Sequence, residues 1–154
     1  MKLDADSREF IESLTSLGVE FLVVGGHAVA FHGHPRFTGD IDLLVRPTLA
    51  NATLVLEALQ RFGFGSHTLT VDQLTEPYRI IQLGRPPNRI DVLTGISGVS
   101  FEAAWTGKVG AMLDGLPVWY LGLSELLANK AAAGRDKDKA DHAQLLAVLA
   151  ATKR

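Results

Sequence analysis

The segment VVGGHAVAFHGHPRFTGDIDLLV, residues 23–45, constrains the fold more than any other part of the chain. It begins with a valine-rich apolar run that predicts a buried strand, and two adjacent glycines follow this run. The residues after the glycines predict a helix of one to two turns, which ends at Gly33. A second predicted strand then opens with two aspartates, Asp40 and Asp42. The segment therefore predicts a strand, a tight turn, a short helix and a second strand in close succession.

The rest of the chain predicts an α/β fold. Apolar residues at helical spacing predict helices over residues 4–17 and 48–63. The stretches YRIIQLG and RIDVLTG, on either side of the turn RPPN, predict a β-hairpin. A weak helix at FEAAWTGK, a strand at LPVWYLG and two helices that meet at Gly134 complete the order. Because the hairpin supplies an antiparallel pair, we expect a mixed β-sheet flanked by α-helices.

Length and composition limit the kinds of protein that the chain can be. We expect one domain over residues 1–154, with C-terminal helices from about residue 123. No stretch approaches the ~20 apolar residues of a membrane helix, and the charged N-terminus lacks a signal-peptide pattern. The chain has no cysteine, which excludes disulfides and thiolate chemistry, and its net charge of -2 gives no global attraction to nucleic acids. These features favour a cytoplasmic protein without a membrane partner.

Three carboxylates, Asp40, Asp42 and Asp91, are the strongest chemical signal. Alternation along a strand puts Asp40 and Asp42 on one face, and Asp91 is a carboxylate within another apolar strand. If the two strands are neighbours, the three carboxylates lie together and can hold two divalent ions, Mg²⁺ or Mn²⁺, for phosphoryl chemistry. The alternative is that each aspartate caps a strand end or pairs with an arginine. The candidate arginines are Arg36, Arg79 and Arg89.

The glycines Gly25 and Gly26 lie where the first predicted strand meets the short helix. Glycine allows a sharp turn and a close approach to a ligand, and a helix start offers N–H groups to a phosphate. His27 falls in the first helical turn, so it is a candidate contact to a bound phosphate or acceptor. Another interpretation has His27, His32 and His34 binding zinc together with an aspartate, although their spacing matches no regular zinc motif.

This combination of a Gly-Gly turn, Asp-Ile-Asp and a later aspartate resembles the nucleotidyltransferase superfamily, typified by DNA polymerase beta and the kanamycin nucleotidyltransferases. Within it, the sequence looks most like the branch of AbiE-type toxins and related small bacterial proteins. That branch carries Arg-x-Thr before Asp-Ile-Asp, matched here by Arg36 and Thr38. One departure is that position 26 is Gly where many transferases have Ser, so only backbone donors are available there.

The resemblance extends to the C-terminal helices, through a Lys…Arg…Lys-Asp-x-x-Asp pattern. Its matching residues are Lys130, Arg135, Lys137, Asp138 and Asp141. The resemblance implies that Lys130 contacts the triphosphate, whereas the alternative is a solvated lysine. Asp138 and Asp141 share a helical face with apolar residues, so we expect both to be structural, with Asp141 holding Lys130 or Arg135 in place.

The resemblance implies a two-metal enzyme that transfers a nucleoside monophosphate from an NTP to an RNA such as tRNA, a protein or a small molecule. Asp40, Asp42 and Asp91 would bind the metal, and Asp91 would also assist deprotonation of the acceptor hydroxyl. Gly25 and Gly26 would lie at the phosphates, with Lys130, Arg36 and Thr38 as further contacts. It also implies a toxin–antitoxin or phage-defence role with a partner protein. The alternatives are an antitoxin-like binding partner with weak or no catalysis, and a histidine-based metal hydrolase. Trp105, Trp119 and Tyr120 could stack on a base, but such residues more often belong to the core.

Overall fold

The computed structural model describes residues 2–33, 39–63 and 69–152, and these residues contain six strands and six α-helices. The strands are β1 (Phe21–Val24), β2 (Ile41–Val45), β3 (Ile80–Leu83), β4 (Ile90–Leu93), β5 (Val109–Leu113) and β6 (Leu116–Tyr120). The helices are α1 (Ala5–Ser16), α2 (Gly25–Phe31), α3 (Leu49–Arg61), α4 (Phe101–Thr106), α5 (Leu123–Ala133) and α6 (Asp136–Thr152). A short 3₁₀ helix covers Asp72–Leu74.

The strands form one mixed sheet in the order β3-β4-β2-β1-β6-β5. Strands β2 and β4 are parallel neighbours, as are β1 and β6, and the other adjacent pairs are antiparallel. The predicted hairpin is present as β3 and β4. The expectation of a nucleotidyltransferase-type mixed sheet flanked by α-helices is therefore confirmed. The strand with Asp42 lies beside the strand with Asp91. Asp40, which was predicted to open the same strand as Asp42, lies in a bend just before β2, because the strand begins only at Ile41.

Strand β5 is the one strand of the described residues that the sequence pattern did not predict. It lies at the edge of the sheet and pairs with β6 alone. Most of its side chains are exposed or half-buried, so it lacks the buried face that gives inner strands a clear apolar pattern. The turn into β6 uses Asp114 and Gly115, both with positive φ (48° and 79°), as a two-residue hairpin turn requires.

The core lies around the two central strands. Every residue of β1 is buried, and in β2 only Asp42 is partly exposed. Helix α2 packs against β1 and β2, α5 packs against α6, and α1 contacts α3 and β6. The imidazole Nε2 of His32 lies 2.7 Å from the carbonyl oxygen of Leu121, which joins the end of α2 to the segment before α5.

Within the described ranges, no helix combines the length and the apolar character that a membrane crossing needs.

Candidate active site

A pair of carboxylates lies near the start of β2 and β4, which are parallel neighbours. Asp42 of β2 and Asp91 of β4 are direct register partners, so their side chains project from the same face of the sheet. Burial, and next to it the neighbouring Asp91 carboxylate, raise the pKa of Asp42 to about 6, against the opposing charges of Lys137 and Arg89. The pair therefore concentrates negative charge at one edge of the site, as a divalent cation would require.

Arg89 contacts two carboxylates in this region, those of Asp91 and Asp40. Its Nε lies 2.8 Å from Oδ1 of Asp91, and its Nη2 lies 3.1 Å from Oδ2 of the same carboxylate. Its backbone N–H donates to Oδ1 of Asp40 at 2.8 Å, and Nη2 lies 3.6 Å from Oδ2 of Asp40. Of the three candidate arginines, Arg89 thus pairs with Asp40 and Asp91. Across the parts of the chain that the structure describes, no three His, Asp or Glu side chains are grouped to hold one metal ion.

The Gly-Gly turn lies directly against the carboxylate pair. Gly25 begins α2 with φ at +63°, a left-handed conformation that favours glycine. A Cβ placed on Gly25 would overlap the Oδ2 atom of Asp42 and lie 2.9 Å from its Cγ. The close approach at Gly25 therefore lets β1, α2 and the Asp42 carboxylate meet without a gap.

We expect Gly25→Ala to lose stability and any nucleotide-dependent activity together. The left-handed backbone alone costs an alanine about 1–2 kcal/mol, and the added Cβ also displaces the Asp42 carboxylate. Gly18→Ala is the matched control, because Gly18 has φ at +77° but an added Cβ would meet nothing within 4 Å. Thermal melts and nucleotide-binding titrations of both variants check this. Equal melting temperatures and unchanged nucleotide binding in both would show that the contact with Asp42 is unimportant.

The predicted phosphate cation Lys130 is buried within an ion-pair network. Its Nζ lies 3.2 Å from Oδ1 of Asp138 and 3.2 Å from Oδ2 of Asp141. Arg135 also binds Asp138, with Nε 2.7 Å from Oδ2, and these contacts lower the pKa of Asp138 to about 2. The network joins the end of α5 to the start of α6. It agrees with the expectation that Asp141 holds Lys130 in place.

Lys137 is the cation that the sequence analysis did not propose as a site residue. It is exposed, it lines the same cleft as Asp42, and its charge lowers the pKa of Asp42. The Lys-Asp-x-x-Asp pattern already contained this residue, so the signal was present in the sequence. What the pattern could not show is that Lys137, rather than the buried Lys130, presents an exposed ammonium group to the cleft.

A cleft of about 420 Å³ connects these elements. Its lining comes from the Gly25–Gly26 turn and Asp42, from the end of α5 and the start of α6, and from the start of β3 with the residue Tyr78 before it. The cleft therefore combines backbone near a carboxylate, three basic side chains and an exposed aromatic ring. Such a combination suits a ligand with phosphates and a planar ring.

Another predicted site residue, His27, lies away from this cleft. His27 is buried, and neither of its ring nitrogens has a hydrogen-bond partner among the described residues. It lines a separate cavity of about 220 Å³ with Phe31 and Tyr120, and it is not part of the lining of the cleft with Asp42. Burial lowers the pKa of His27. Arg36 and Thr38 lie outside the described residues, as does His34.

The aromatic residues considered for base stacking are not part of the cleft lining either. Trp105 and Trp119 meet edge to face with centroids 6.4 Å apart, and the Nζ of Lys108 lies over both rings. Tyr120 is buried and stacks on Phe31 with centroids 4.1 Å apart. Tyr120 is therefore a core residue and Trp105 a residue at the edge of the core, whereas Trp119 is 43% exposed.

Comparison with known families identifies the chain. Residues 4–153 match the family described as "Nucleotidyl transferase of unknown function (DUF2204)". The chain belongs to this family. The match spans nearly the whole sequence, and it confirms the nucleotidyltransferase resemblance. Placement in the AbiE-type branch stays a prediction. None of the curated proteins compared with the chain matches it.

Solved structures share the fold at low sequence identity. A candidate nucleotidyltransferase of Thermotoga maritima is 14% identical, with a TM-score of 0.60 over 94% of this chain and 95% of that chain. The lincosamide antibiotic adenylyltransferase LnuA, bound to lincomycin, is 10% identical, with a TM-score of 0.57 over 94% and 97%. An antigenic nucleotidyltransferase-like protein of Paracoccidioides brasiliensis is 18% identical, with a TM-score of 0.53 over 93% and 74%. These likenesses concern the fold.

Proposed function

We propose that the chain transfers a nucleoside monophosphate from an NTP to an acceptor hydroxyl, with release of pyrophosphate. Family membership makes nucleotidyl transfer the expected class of reaction. The observation that carries the proposal is the register of Asp42 beside Asp91, with the Gly25 turn pressed against Asp42 and Lys137 in the same cleft. This is a compact set of groups that can bind a cation and phosphates together.

The donor set fits a hard divalent cation. Asp42 and Asp91 offer carboxylate oxygens without sulfur or imidazole ligands beside them, which Mg²⁺ and Mn²⁺ prefer. The raised pKa of Asp42 reflects burial and then repulsion from Asp91, and a bound cation would relieve the repulsion. Asp40 lies two residues before Asp42 and pairs with Arg89, and it is the third proposed ligand. When bound, such a cation acts as a Lewis acid on phosphoryl oxygens and neutralises developing charge.

In the proposed reaction, the acceptor oxygen forms a bond to the α-phosphorus. The bond from this phosphorus to the oxygen that bridges to the β-phosphate breaks, and pyrophosphate leaves with the electron pair. The hydroxyl proton passes to a carboxylate oxygen of Asp91 or Asp42. Lys137 and Arg135 are positioned along the cleft to stabilise the negative charge on the leaving group.

The remaining proposed contacts follow from the sequence. Gly25 and Gly26 bring bare backbone close to the phosphates, and Arg36 and Thr38 stay predicted contacts. Lys130 lines the cleft, but its ion pairs with two buried aspartates support a role in holding α5 and α6 together. The acceptor classes are RNA, protein and small molecules, and the toxin–antitoxin setting with its partner protein, like the cytoplasmic location, stays a prediction.

The direct test is incubation with each of the four α-³²P-labelled NTPs, Mg²⁺ and a cell extract. We expect label to enter one fraction, RNA, protein or small molecules, with equimolar release of pyrophosphate. The Asp42→Asn protein serves as the inactive control. If no fraction is labelled, and neither NTP nor Mg²⁺ raises the melting temperature, the chain is not a transferase and the antitoxin-like binding protein becomes the better account.

A further inference from the structure

The cleft extends from Asp42 past Leu93 of β4 to an exposed aromatic residue, Tyr78, and Asp91 itself is not part of its lining. Asp91 and Leu93 lie on one face of β4, and Tyr78 lies over Gly95, two residues after the strand ends. A Cβ placed on Gly95 would lie 3.1 Å from the Cδ1 atom of Tyr78, so the ring rests on bare backbone. Gly95 is four residue steps after Asp91, so the two lie at most roughly 13 Å apart along the chain. This end of the cleft is therefore within reach of a nucleotide whose phosphates lie at Asp42.

Tyr78 is held in a conformation that its side chain does not favour. Its φ is 55°, in the left-handed region where a bulky residue is strained, and yet the side chain is 70% exposed. The buried Thr94 fixes the chain on both sides of it, because its Oγ1 accepts from the N–H of Arg79 at 2.7 Å and donates to the carbonyl of Glu76 at 2.5 Å. These hydrogen bonds hold the backbone of Tyr78 in place, and they leave its ring exposed at the cleft, where it can contact a ligand.

Two apolar side chains continue the same surface towards the carboxylates. Ile80 of β3 and Leu93 of β4 are register partners, both line the cleft, and Ile80 is 59% exposed. An exposed isoleucine on an edge strand next to an exposed tyrosine forms a flat apolar surface. At Arg135 and Lys137 the lining is charged instead of apolar. The cleft therefore has a charged part and an apolar part.

We propose that Tyr78, with Ile80 and Leu93, forms the surface on which the nucleobase of the donor nucleotide stacks. The inference rests on the proposed function, because it assigns a base subsite to the same cleft. A base stacks on an aromatic ring through its π-face, and the interaction tolerates any of the four bases. The subsite therefore accounts for binding of the ring, whereas the charged part accounts for binding of the phosphates.

The test compares a nucleotide with a ligand that lacks the base. Calorimetry would measure binding of each α,β-methylene NTP and of inorganic tripolyphosphate, both with Mg²⁺, to wild type, Tyr78→Ala and Tyr78→Phe. We expect Tyr78→Ala to weaken nucleotide binding roughly 5- to 100-fold and to leave tripolyphosphate binding unchanged. Tyr78→Phe, which keeps the ring, should stay within about twofold of wild type. Leu49→Ala is the matched control, because Leu49 is 66% exposed on α3 and is not part of the cleft lining.

Folding is controlled by a second variant at the same position. Tyr78→Gly relieves the positive φ, so its melting temperature should equal or exceed that of wild type while nucleotide binding falls as in Tyr78→Ala.

Each other outcome overturns the inference in a distinct way. Unchanged nucleotide affinity in Tyr78→Ala would remove the base subsite and leave the proposed function intact. An equal loss for nucleotide and tripolyphosphate would show that Tyr78 shapes the cleft rather than stacking a base. A raised KM for the acceptor alone would assign the ring to the acceptor. If wild type binds neither ligand, the proposed function fails and the subsite fails with it.

Discussion

Asp42→Asn should reduce nucleotidyl transfer by roughly 10³-fold or more, while the metal-free protein stays as stable as wild type or becomes more stable. The loss of activity is expected because a metal ion contributes several kcal/mol to phosphoryl transfer, and each 1.36 kcal/mol is about a factor of ten in rate. The stability is expected because burial and the neighbouring Asp91 make an ionised Asp42 costly in the fold. Initial rates with labelled NTP and thermal melts of both proteins measure the two effects.

The pKa of Asp42 determines how the free energy of unfolding should change with pH. The folded-state pKa of Asp42 is raised to about 6, above its ordinary value of 3.8. The protonated carboxyl therefore contributes stability that is fully present below about pH 4 and is lost as the pH rises through about 6. The loss is at most about 3 kcal/mol in the metal-free protein. The corresponding fall should be absent from Asp42→Asn, so the difference between the two unfolding free energies should grow between pH 4 and 7.

Ligand linkage separates a metal ligand from a structural aspartate. With millimolar Mg²⁺ and NTP, wild type should gain melting temperature, and Asp42→Asn should gain much less. Asp6→Asn, at an exposed carboxylate in the first turn of α1, should behave as wild type. A variant at Asp42 that melts far lower without ligand, yet shows the full ligand-induced shift, would mean that Asp42 is structural. A loss of about 1–3 kcal/mol is expected in that case.

The sequence predicted the parts of the site that depend on alternation and local turns. Asp42 and Asp91 could be placed on one face because each lies within an apolar strand, and the parallel pairing of β2 and β4 puts them side by side. The pairing of Arg89 with Asp91 was one of three alternatives, and the two residues are two positions apart on an extended chain, so they share a face.

The rest depended on long-range packing that one sequence does not specify. The alanine-rich helix with Lys130 carries no strong apolar stripe, so its burial followed only from the placement of α6 across the bend at Gly134. The direction of His27 depends on how the seven residues of α2 rotate against the sheet. Tyr78 precedes β3 in a strained conformation that no propensity predicts. Strand β5 had one usable signal, the Asp114–Gly115 turn.

Lys130→Met should destabilise the fold by about 3 kcal/mol or more, a larger effect than at any other basic residue of the cleft. The side chain of Lys130 is only 5% exposed, and its ammonium group lies 3.2 Å from two carboxylates that are themselves buried. Methionine keeps the length of the side chain but removes the charge, which leaves two buried carboxylates with one cation fewer. Breaking a buried ion pair from one side is costly for this reason. Chemical denaturation of both proteins at neutral pH measures the loss.

A second substitution tests whether charge, rather than shape, causes the loss. In Lys130→Met combined with Asp141→Asn, one buried negative charge is removed together with the cation. The double variant should therefore be more stable than Lys130→Met alone, and the difference from additivity measures the coupling between the two side chains. If the double variant is no more stable than the single one, the loss comes from packing of the methionine.

Lys137→Met completes the comparison, because Lys137 is exposed in the same cleft. Its stability should stay within about 0.5 kcal/mol of wild type, since exposed substitutions have small effects. Its affinity for Mg²⁺ and NTP should nevertheless fall, because a positive charge near Asp42 and the proposed phosphate position is lost. We therefore expect Lys130→Met to lower mainly the stability and Lys137→Met to lower mainly nucleotide binding. If Lys130→Met is as stable as wild type but no longer binds NTP, Lys130 contacts the triphosphate, as the resemblance implies.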